Sequence, residues 1–209
     1  MKLYDNVIVG QTQRNWDHSK PIPDEHIKVI VEAAHHAPFK QSIEAFRMFV
    51  STNMDFNNMV YKWGHDKNLE NEEQRWLNGQ LAAPLLICFA MYEMDSIPEI
   101  IRSVNSREEN IFSSGVVAGI TALTANGLGY KTGFCGCVQW REMISEFKKE
   151  TGSKVLKEFW EEKHIVEFIC LGIGHPLENY HRGTSIIDGK KVAYNPPALK
   201  RKTPTLLYK

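Results

Sequence analysis

Cys135 and Cys137 are the side chains in this sequence best placed to share chemistry. On an extended strand, two residues separated by one position point to the same face, so these thiols would lie one pleat apart and could form a redox or soft-metal site. A metal ion needs further ligands, and the neighbouring sequence supplies none. We therefore interpret both as small buried thiols and keep thiol or metal chemistry as the weakest alternative.

The histidines do not complete a catalytic or metal site. His35 and His36 are neighbours on a predicted helix, so at least one lies off its buried stripe, while His175 and His181 lack acidic or thiol residues at zinc-binding spacing. The P-loop, GxSxG, HExxH and strand-linked GxGxxG motifs are all missing from the sequence. The lack of an acid, base and nucleophile set favours a cofactor that brings its own chemistry.

Length and charge limit the class of protein. The 209 residues suit one large domain, and 25 basic residues balance 25 acidic ones, so no net field attracts nucleic acid or an anionic membrane. The four cysteines lack the spacing of a disulfide framework, and the apolar stretch near the N-terminus is too short for a signal peptide. We expect a cytoplasmic protein that binds neither nucleic acid nor membrane.

Residues 111–130 form an uncharged run that is long enough to span a bilayer. Polar side chains such as Ser113, Thr121 and Asn126 argue against lipid, and the run is poor in Leu, Ile and Phe. A helix that is apolar nearly all round is otherwise surrounded by protein. The run therefore predicts a helix in the core or at a subunit interface, with Gly127 or Gly129 as its left-handed cap.

Hydrophobic spacing predicts further elements on both sides of this helix. Helical spacing occurs within residues 21–38, 55–63, 140–150 and 153–162. Alternating or continuous apolar runs predict strands over residues 45–52, 84–91, 131–138 and 164–174. Residues 65–76 are strongly charged and predict a surface helix or flap, and 183–209 predict an irregular tail. This pattern indicates an α+β or α/β domain around one central sheet.

Five segments, in this order, resemble the FMN-dependent nitroreductase family. The first two match the family's phosphate-binding strip with its first helix, and its first strand. The other three match a Gln-containing turn before an Ala-Pro strand, the central helix with the strand beside the flavin, and the closing strand. The segments are residues 11–38, 46–52, 77–90, 113–137 and 169–176. Each one alone is a weak signal, but their order and spacing are specific.

The resemblance implies an α+β nitroreductase-like fold, with a central mostly antiparallel sheet flanked by helices and a long buried central helix at the dimer interface. In that family the flavin lies between the subunits of a homodimer. Gly115 and Gly119 would allow two central helices to approach closely. We expect residues 1–209 to form a single domain, with 183–209 as an extended C-terminal arm.

The phosphate-binding positions implied by the resemblance are only partly kept. Arg14 matches the second basic position of the strip, Thr12 stands where the family commonly has Ser, and Gln11 occupies a position that is often basic. One expected cation is therefore missing. The family also uses a basic pair near the C-terminus on this phosphate, and the candidates here are Lys200, Arg201 and Lys202.

The positions that resemble flavin-ring contacts also depart from the family. A Ser and an Asn usually follow the Ala-Pro pair, whereas Lys40 here could donate to the carbonyl edge of the ring and Phe39 could cover a ring face. The other expected contacts are Pro38, Ser42, Asn78, Gln80, Phe134, Cys135 and Gly136. Gly136 matters because a residue without a side chain lets the backbone N–H approach the hydride-accepting nitrogen of the flavin.

The resemblance implies an FMN-dependent oxidoreductase in which NADH or NADPH reduces the flavin, which then reduces a nitroaromatic, quinone or similar small acceptor by a ping-pong mechanism. The flavin carries the chemistry, so no catalytic side chain is named. The departures leave two alternatives open. One is a specialised member of the fold, such as a flavin-dependent dehydrogenase or dehalogenase, and the other is a non-catalytic flavin-binding protein.

Overall fold

The computed structural model describes residues 12–40, 46–64, 78–92, 99–103, 106–136, 138, 143, 165–177, 184–187 and 190–193. The surface helix or flap predicted at 65–76 and the helix predicted at 153–162 lie outside these residues. Of the helix predicted at 140–150, only Met143 is described, and it is helical and buried.

A four-stranded antiparallel sheet lies at the centre of the described structure, in the order β1-β2-β4-β3. The strands are β1 Phe46–Ser51, β2 Leu85–Tyr92, β3 Lys131–Cys135 and β4 Ile165–Gly174. Residues 85–91 of the inner strand β2 are all buried, which explains why their sequence is continuously apolar rather than alternating. The predicted α+β fold with a mostly antiparallel central sheet is confirmed.

Local capping chemistry sets the ends of the main helices. The described helices are α1 Asp24–His35, α2 Met54–Trp63, α3 Glu99–Arg102 and α4 Arg107–Gly127, with a 3₁₀ turn at Gly79–Ala82. The Asn53 side chain accepts hydrogen bonds from two backbone N–H groups at the start of α2, and Ser106 and Glu109 form a capping box at the start of α4. Gly129, with φ of 95°, follows α4 in the left-handed conformation and confirms the predicted glycine cap.

Helices cover both faces of the sheet. On one face, α1 and α4 pack against alternate strand residues, in a cluster that includes Ile30, Ala34, Ile87, Phe89, Val117, Ala122 and Leu171. On the other face, α2 and the 3₁₀ turn pack against the intervening residues, in a cluster that includes Phe56, Val60, Leu81, Leu86, Cys88 and Cys170. The two-residue period of a strand thus divides the core into two layers.

The central helix α4 is buried on one side only within the chain. Its 21 residues extend about 30 Å, and the side that faces the sheet is fully buried. The opposite side carries an outer stripe at helical spacing, which consists of Phe112, Gly115, Gly119 and Leu123. Phe112 is 72% exposed and Leu123 is 45% exposed, so burial all round the helix, as the sequence predicted, does not occur within one chain. No described helix is both long and apolar enough to cross a membrane.

A short hairpin corrects the prediction of an irregular tail over residues 183–209. β5 Thr184–Ile187 pairs with β6 Lys190–Ala193, and Ile187 lies opposite Lys190. The two residues between the strands are Asp-Gly in the sequence, a pair that favours the tight turns of hairpins. The prediction is wrong for these two strands, because each has only four residues and is too short to show a hydrophobic period.

Candidate functional site

An N-terminal strip, residues 12–17, lies between the 3₁₀ turn and β3. The Gln13 backbone N–H donates to the Thr132 carbonyl at 2.9 Å, and the Trp16 indole N–H donates to the Gly79 carbonyl at 2.8 Å. A Cβ added at Gly79 would lie 2.5 Å from the carbonyl oxygen of Arg14. The half-buried Arg14 is therefore held against the turn that carries Asn78 and Gln80.

Gln80 offers a buried hydrogen-bond acceptor at the centre of this group. The residue is 4% exposed, and its side-chain N–H₂ donates to the Phe134 carbonyl at 3.0 Å and to the Asn78 carbonyl oxygen, Oδ1, at 3.4 Å. Because both neighbours of the nitrogen are acceptors, the orientation of the amide is fixed. Its oxygen, Oε1, is buried and has no hydrogen-bond partner among the described residues. A buried acceptor left unpaired costs about 1–3 kcal/mol, so a ligand that donates a hydrogen bond here would gain affinity.

Two glycines that face each other across β3 and β4 allow the turn to lie this close to the sheet. Gly133 pairs with Gly172 in the strand register. A Cβ at Gly133 would meet the Gln13 carbonyl and lie 2.6 Å from Cβ of Gln80, and one at Gly172 would overlap the Gln80 carbonyl. The absence of both Cβ atoms therefore positions Gln80 beside β3.

The end of β3 provides an open face next to Gln80. Phe134 is 42% exposed, whereas Cys135 is buried. Gly136 is exposed, and a Cβ added there would meet no atom of the described residues within 4 Å. The backbone at the end of this strand can therefore be approached by a flat molecule.

A second group of predicted residues forms a groove between residues 38–40 and the first turns of α4. The groove has a volume of about 630 Å³. Its apolar lining consists of Pro38, Phe39, Phe112 and Val116, and its polar lining consists of Lys40, Glu108, Glu109 and Ser113. Phe39 also makes an edge contact with Phe46, with ring centroids 6.2 Å apart.

Lys40 is fastened to α4 by two contacts. Its backbone N–H donates to the Ser113 hydroxyl at 3.3 Å, and its ammonium forms an ion pair with Glu109. Glu109 Oε2 also accepts the Ser106 backbone N–H at 2.6 Å. The Lys40 ammonium, together with this second hydrogen bond, lowers the pKa of Glu109 below its usual value.

The structure therefore divides the sequence-predicted residues into two groups. Thr12, Arg14, Asn78, Gln80, Phe134, Cys135 and Gly136 belong to the strip, the turn and β3, whereas Pro38, Phe39 and Lys40 belong to the groove. Gln11, Ser42, Cys137, Lys200, Arg201 and Lys202 lie outside the described residues. The sequence reasoning missed Glu109, although the Ser106-x-x-Glu109 pattern is a capping-box signature that could have identified it.

Three thiols lie side by side across the sheet. Cys88 and Cys135 are both register partners of Cys170, and the sulfur atoms of Cys88 and Cys170 are 3.4 Å apart. All three are buried, and burial raises the pKa of Cys170 well above its usual value. Within the described part of the chain, no group of three His, Cys, Asp or Glu residues could hold a metal ion. These thiols behave as small core residues.

The sequence profile of the nitroreductase family matches residues 11–173, which is most of the chain. The chain belongs to the nitroreductase family. A search of curated protein sequences finds no match. The matched residues include both groups of predicted site residues, whereas the candidates Lys200, Arg201 and Lys202 lie beyond the match.

Solved structures support the fold of this nitroreductase family member. A nitroreductase with bound FMN from Bacteroides fragilis NCTC 9343 has a TM-score of 0.62 and 14% identity, with 100% of each chain covered. A BluB-like flavoprotein from Clostridium difficile 630 has a TM-score of 0.61 and 17% identity over 87% of this chain and 93% of that one. A nitroreductase family protein from Clostridium novyi NT has a TM-score of 0.57 and 14% identity over 85% of this chain and 87% of that one. At these identities the similarity concerns the fold.

Proposed function

We propose that the protein is an FMN-dependent oxidoreductase that takes electrons from NADH or NADPH and passes them to a nitroaromatic, quinone or similar acceptor. In this ping-pong mechanism the two half-reactions would share one pocket. Membership of the nitroreductase family supports oxidoreductase chemistry, and the FMN bound in the Bacteroides fragilis structure supports the choice of cofactor.

The observation that carries this proposal is the convergence of Arg14, the unpaired Oε1 of Gln80 and the open face at Gly136. Arg14 would neutralise the phosphate, Gln80 would accept a hydrogen bond from the ring, and the Gly136 backbone would lie beside it. These groups fit a flat ligand that carries a donor and an anionic tail. The bound flavin supplies the electron transfer, while the residues around it orient it and exclude water.

The binding energy must come mainly from contacts to the ring. A charge-assisted hydrogen bond contributes about 1.5–3 kcal/mol, whereas micromolar binding needs about 8 kcal/mol. Arg14 alone therefore cannot hold the cofactor, and the buried acceptor of Gln80 gains importance. The C-terminal candidates Lys200, Arg201 and Lys202 would add further charge to the phosphate site.

A homodimer is part of the same proposal. The outer stripe of α4 presents two large apolar side chains and two glycines to solvent, and small residues let helices approach closely. A second copy of the chain would cover this stripe and place the cofactor between subunits, as the family resemblance implies. The chain would act as one domain, with residues 183–209 as an arm along the partner.

Titration of the purified protein with FMN tests the cofactor. We expect flavin fluorescence quenching and thermal stabilisation, and Arg14→Gln should weaken binding by about 10- to 100-fold because one charge-assisted hydrogen bond is lost. Arg47→Gln is the matched control, since Arg47 is exposed on β1, at the opposite edge of the sheet from β3. A protein that neither quenches nor is stabilised by FMN would overturn the proposal.

Anaerobic reduction separates the enzyme from a flavin-binding protein without turnover. In the loaded protein, NADH or NADPH should bleach the flavin absorbance nearly stoichiometrically, and adding a quinone should restore it. Binding without bleaching by either nucleotide would favour the non-catalytic alternative. The ion pair that holds Lys40 on Glu109 makes that alternative worth testing, because Lys40 stands near a position where the family usually has a flavin contact.

A further inference from the structure

Glu109 holds the Lys40 ammonium in one place. Its Oε2 accepts the Ser106 backbone N–H at 2.6 Å, which ties the carboxylate to the first turn of α4, and its Oε1 pairs with Lys40. The Lys40 backbone N–H also donates to the Ser113 hydroxyl at 3.3 Å. Because Lys40 is bonded to α4 through both its backbone and its ammonium, its charge has a fixed position.

A second ion pair shows how unusual this arrangement is for a lysine. Lys28 and Glu32 on α1 are 3.9 Å apart, and their side chains are 77% and 59% exposed, so that pair contributes little. The side chains of Lys40 and Glu109 are only 35% and 39% exposed. Water and salt screen partly buried charges less than exposed ones, so this pair can act on a bound molecule nearby.

Lys40 keeps hydrogen-bond donors for such a molecule. An ammonium has three N–H donors, and Glu109 is the one acceptor of this ammonium among the described residues. Glu109 is charged at neutral pH, because the hydrogen bonds from Lys40 and Ser106 lower its pKa below the usual value. The pair therefore offers donors to the groove while its net charge stays close to zero.

We propose that Lys40 and Glu109 together set the reduction potential of the bound flavin, and that Glu109 lowers it by offsetting the charge of Lys40. Resting on the proposed function, this assignment adds a hydrogen bond from Lys40 to the carbonyl edge of the ring. A hydride taken from NADH or NADPH leaves the reduced ring with one negative charge, which spreads over this edge, and the nucleotide leaves oxidised. The Lys40 charge favours the reduced ring, and the Glu109 charge opposes it.

Glu109→Gln tests this role without removing the helix cap, because Gln also serves in a capping box. The midpoint potential of the FMN-loaded protein is measured by anaerobic equilibration with a reference dye. We expect the substitution to favour reduced over oxidised flavin about tenfold, which corresponds to about 30 mV for a two-electron couple. The shift should shrink in high salt. An unchanged or lowered potential would overturn the proposal.

Glu108→Gln is the matched control. Glu108 is the neighbouring acid on α4, is exposed and forms no ion pair with a described residue. Its substitution should change the ratio of reduced to oxidised flavin by less than about twofold. A shift as large as that of Glu109→Gln would show a general effect of surface charge and overturn the proposal.

Substitution of Lys40 separates the two charges of the pair. Lys40→Met should favour oxidised flavin, and the double variant Lys40→Met with Glu109→Gln should have a potential between those of the single variants, because it removes a nearly neutral pair. Single variants that shift the potential in the same direction would contradict the opposing roles. If Lys40→Met no longer takes up FMN, the result with Glu109→Gln decides alone.

The failure of this role is distinguishable from the failure of the proposed function. A wild-type protein that takes up no FMN contradicts both. A loaded protein that NADH or NADPH bleaches, but whose potential is the same in wild type and Glu109→Gln, keeps the proposed function and overturns the role of Glu109. A raised potential in Glu109→Gln, in a protein that neither nucleotide reduces, supports the role of Glu109 and contradicts the proposed oxidoreductase.

Discussion

Gly133 is buried and closely packed whereas Gly136 is exposed, although they lie only three positions apart at the end of β3. A methyl group at Gly133 would meet the Gln13 carbonyl and Gln80, while one at Gly136 would meet none of the described residues. We expect Gly133→Ala to lower the free energy of unfolding by about 1–3 kcal/mol, as overpacking does. Gly136→Ala should leave stability nearly unchanged and weaken FMN binding.

Urea unfolding of the FMN-free protein and FMN titration measure the two effects separately. Gly136→Ala serves as the stability control for Gly133→Ala, because the same atom is added to the same strand end. Wild-type FMN affinity in Gly136→Ala would contradict the position assigned to the cofactor. An unchanged unfolding free energy in Gly133→Ala would contradict the close packing of Gln80.

Asp17 gives the protein a predictable response to acid. Hydrogen bonds from the Ser19 hydroxyl, first, and then from Lys20 lower the pKa of Asp17 from 3.8 to about 2. Because the folded-state pKa is depressed, the stabilisation is fully present above pH 3.8 and is lost as the pH falls towards about 2. The stability difference between wild type and Asp17→Asn should therefore be constant near neutral pH and shrink over this window.

Urea unfolding at a series of pH values measures this difference. Ser19→Ala should narrow the pH range over which the stability difference is lost, because it removes the largest cause of the lowered pKa of Asp17. A difference that stays constant from pH 5 to pH 2.5 would show that Asp17 titrates normally.

The sequence pointed to candidate site residues, but it did not predict which residues they contact. Arg14 and Gln80 were identified from their positions in family-like segments, but the bond from Gln80 to the Phe134 carbonyl joins residues 54 positions apart. The flavin contact expected of Lys40 stays a prediction, and its ion pair with Glu109, 69 positions away, was not foreseen. Hydrophobic periodicity reports which face of an element is buried, and it contains no information about such distant pairs.

At the scale of elements, the N-terminus of α4 depends on its capping box. The Ser106 hydroxyl accepts the Glu109 backbone N–H at 3.3 Å, and Glu109 accepts the Ser106 backbone N–H at 2.6 Å. We expect Ser106→Ala to destabilise the protein by about 1 kcal/mol, the usual loss for an N-cap. The hydrogen bond from the Ser106 backbone N–H to the Glu109 carboxylate does not involve the hydroxyl, so the ion pair between Glu109 and Lys40 should persist.

Chemical denaturation measures this loss, with Ser103→Ala as a matched control. Ser103 is also exposed and near the start of α4, but its hydroxyl donates to the carbonyl of Ile100 in α3 at 2.8 Å. Equal effects of the two substitutions would contradict a special role for the box.

Most elements were predictable because their burial pattern is regular. Helical spacing located α1 and α2, and the continuous apolar run located β2, which is covered on both faces. The β5–β6 hairpin was missed because each strand is only four residues long, too short for a period to emerge. In such short strands the turn residues carry the signal.

At the scale of the whole molecule, the uncharged part of α4, residues 111–127, has two different sides. Its inner side packs on the sheet through Val117, Ala118, Ala122 and Ala125, which are at most 6% exposed. Its outer stripe is also uncharged, but within one chain Phe112 is 72% exposed and Leu123 is 45% exposed. Composition alone could not separate these two sides, because both are built from small and apolar residues.

The outer stripe leads to the prediction that the protein is a dimer in solution through α4. Leu123, 45% exposed on this stripe, and Val29, 48% exposed on α1, are apolar residues of nearly equal exposure. We expect Leu123→Lys to shift the protein from dimer to monomer, because a charge would be buried in the interface without a partner. Val29→Lys should leave the dimer intact, since it places the same charge on a helix outside the proposed interface.

Multi-angle light scattering at micromolar concentration measures the mass, and circular dichroism checks that each variant is folded. If the cofactor lies between subunits, Leu123→Lys should also lose FMN affinity although Leu123 lies outside both groups of predicted site residues. A folded Leu123→Lys monomer with wild-type FMN affinity would place the complete cofactor site within one chain. A wild-type protein that is monomeric at this concentration would contradict the interface itself.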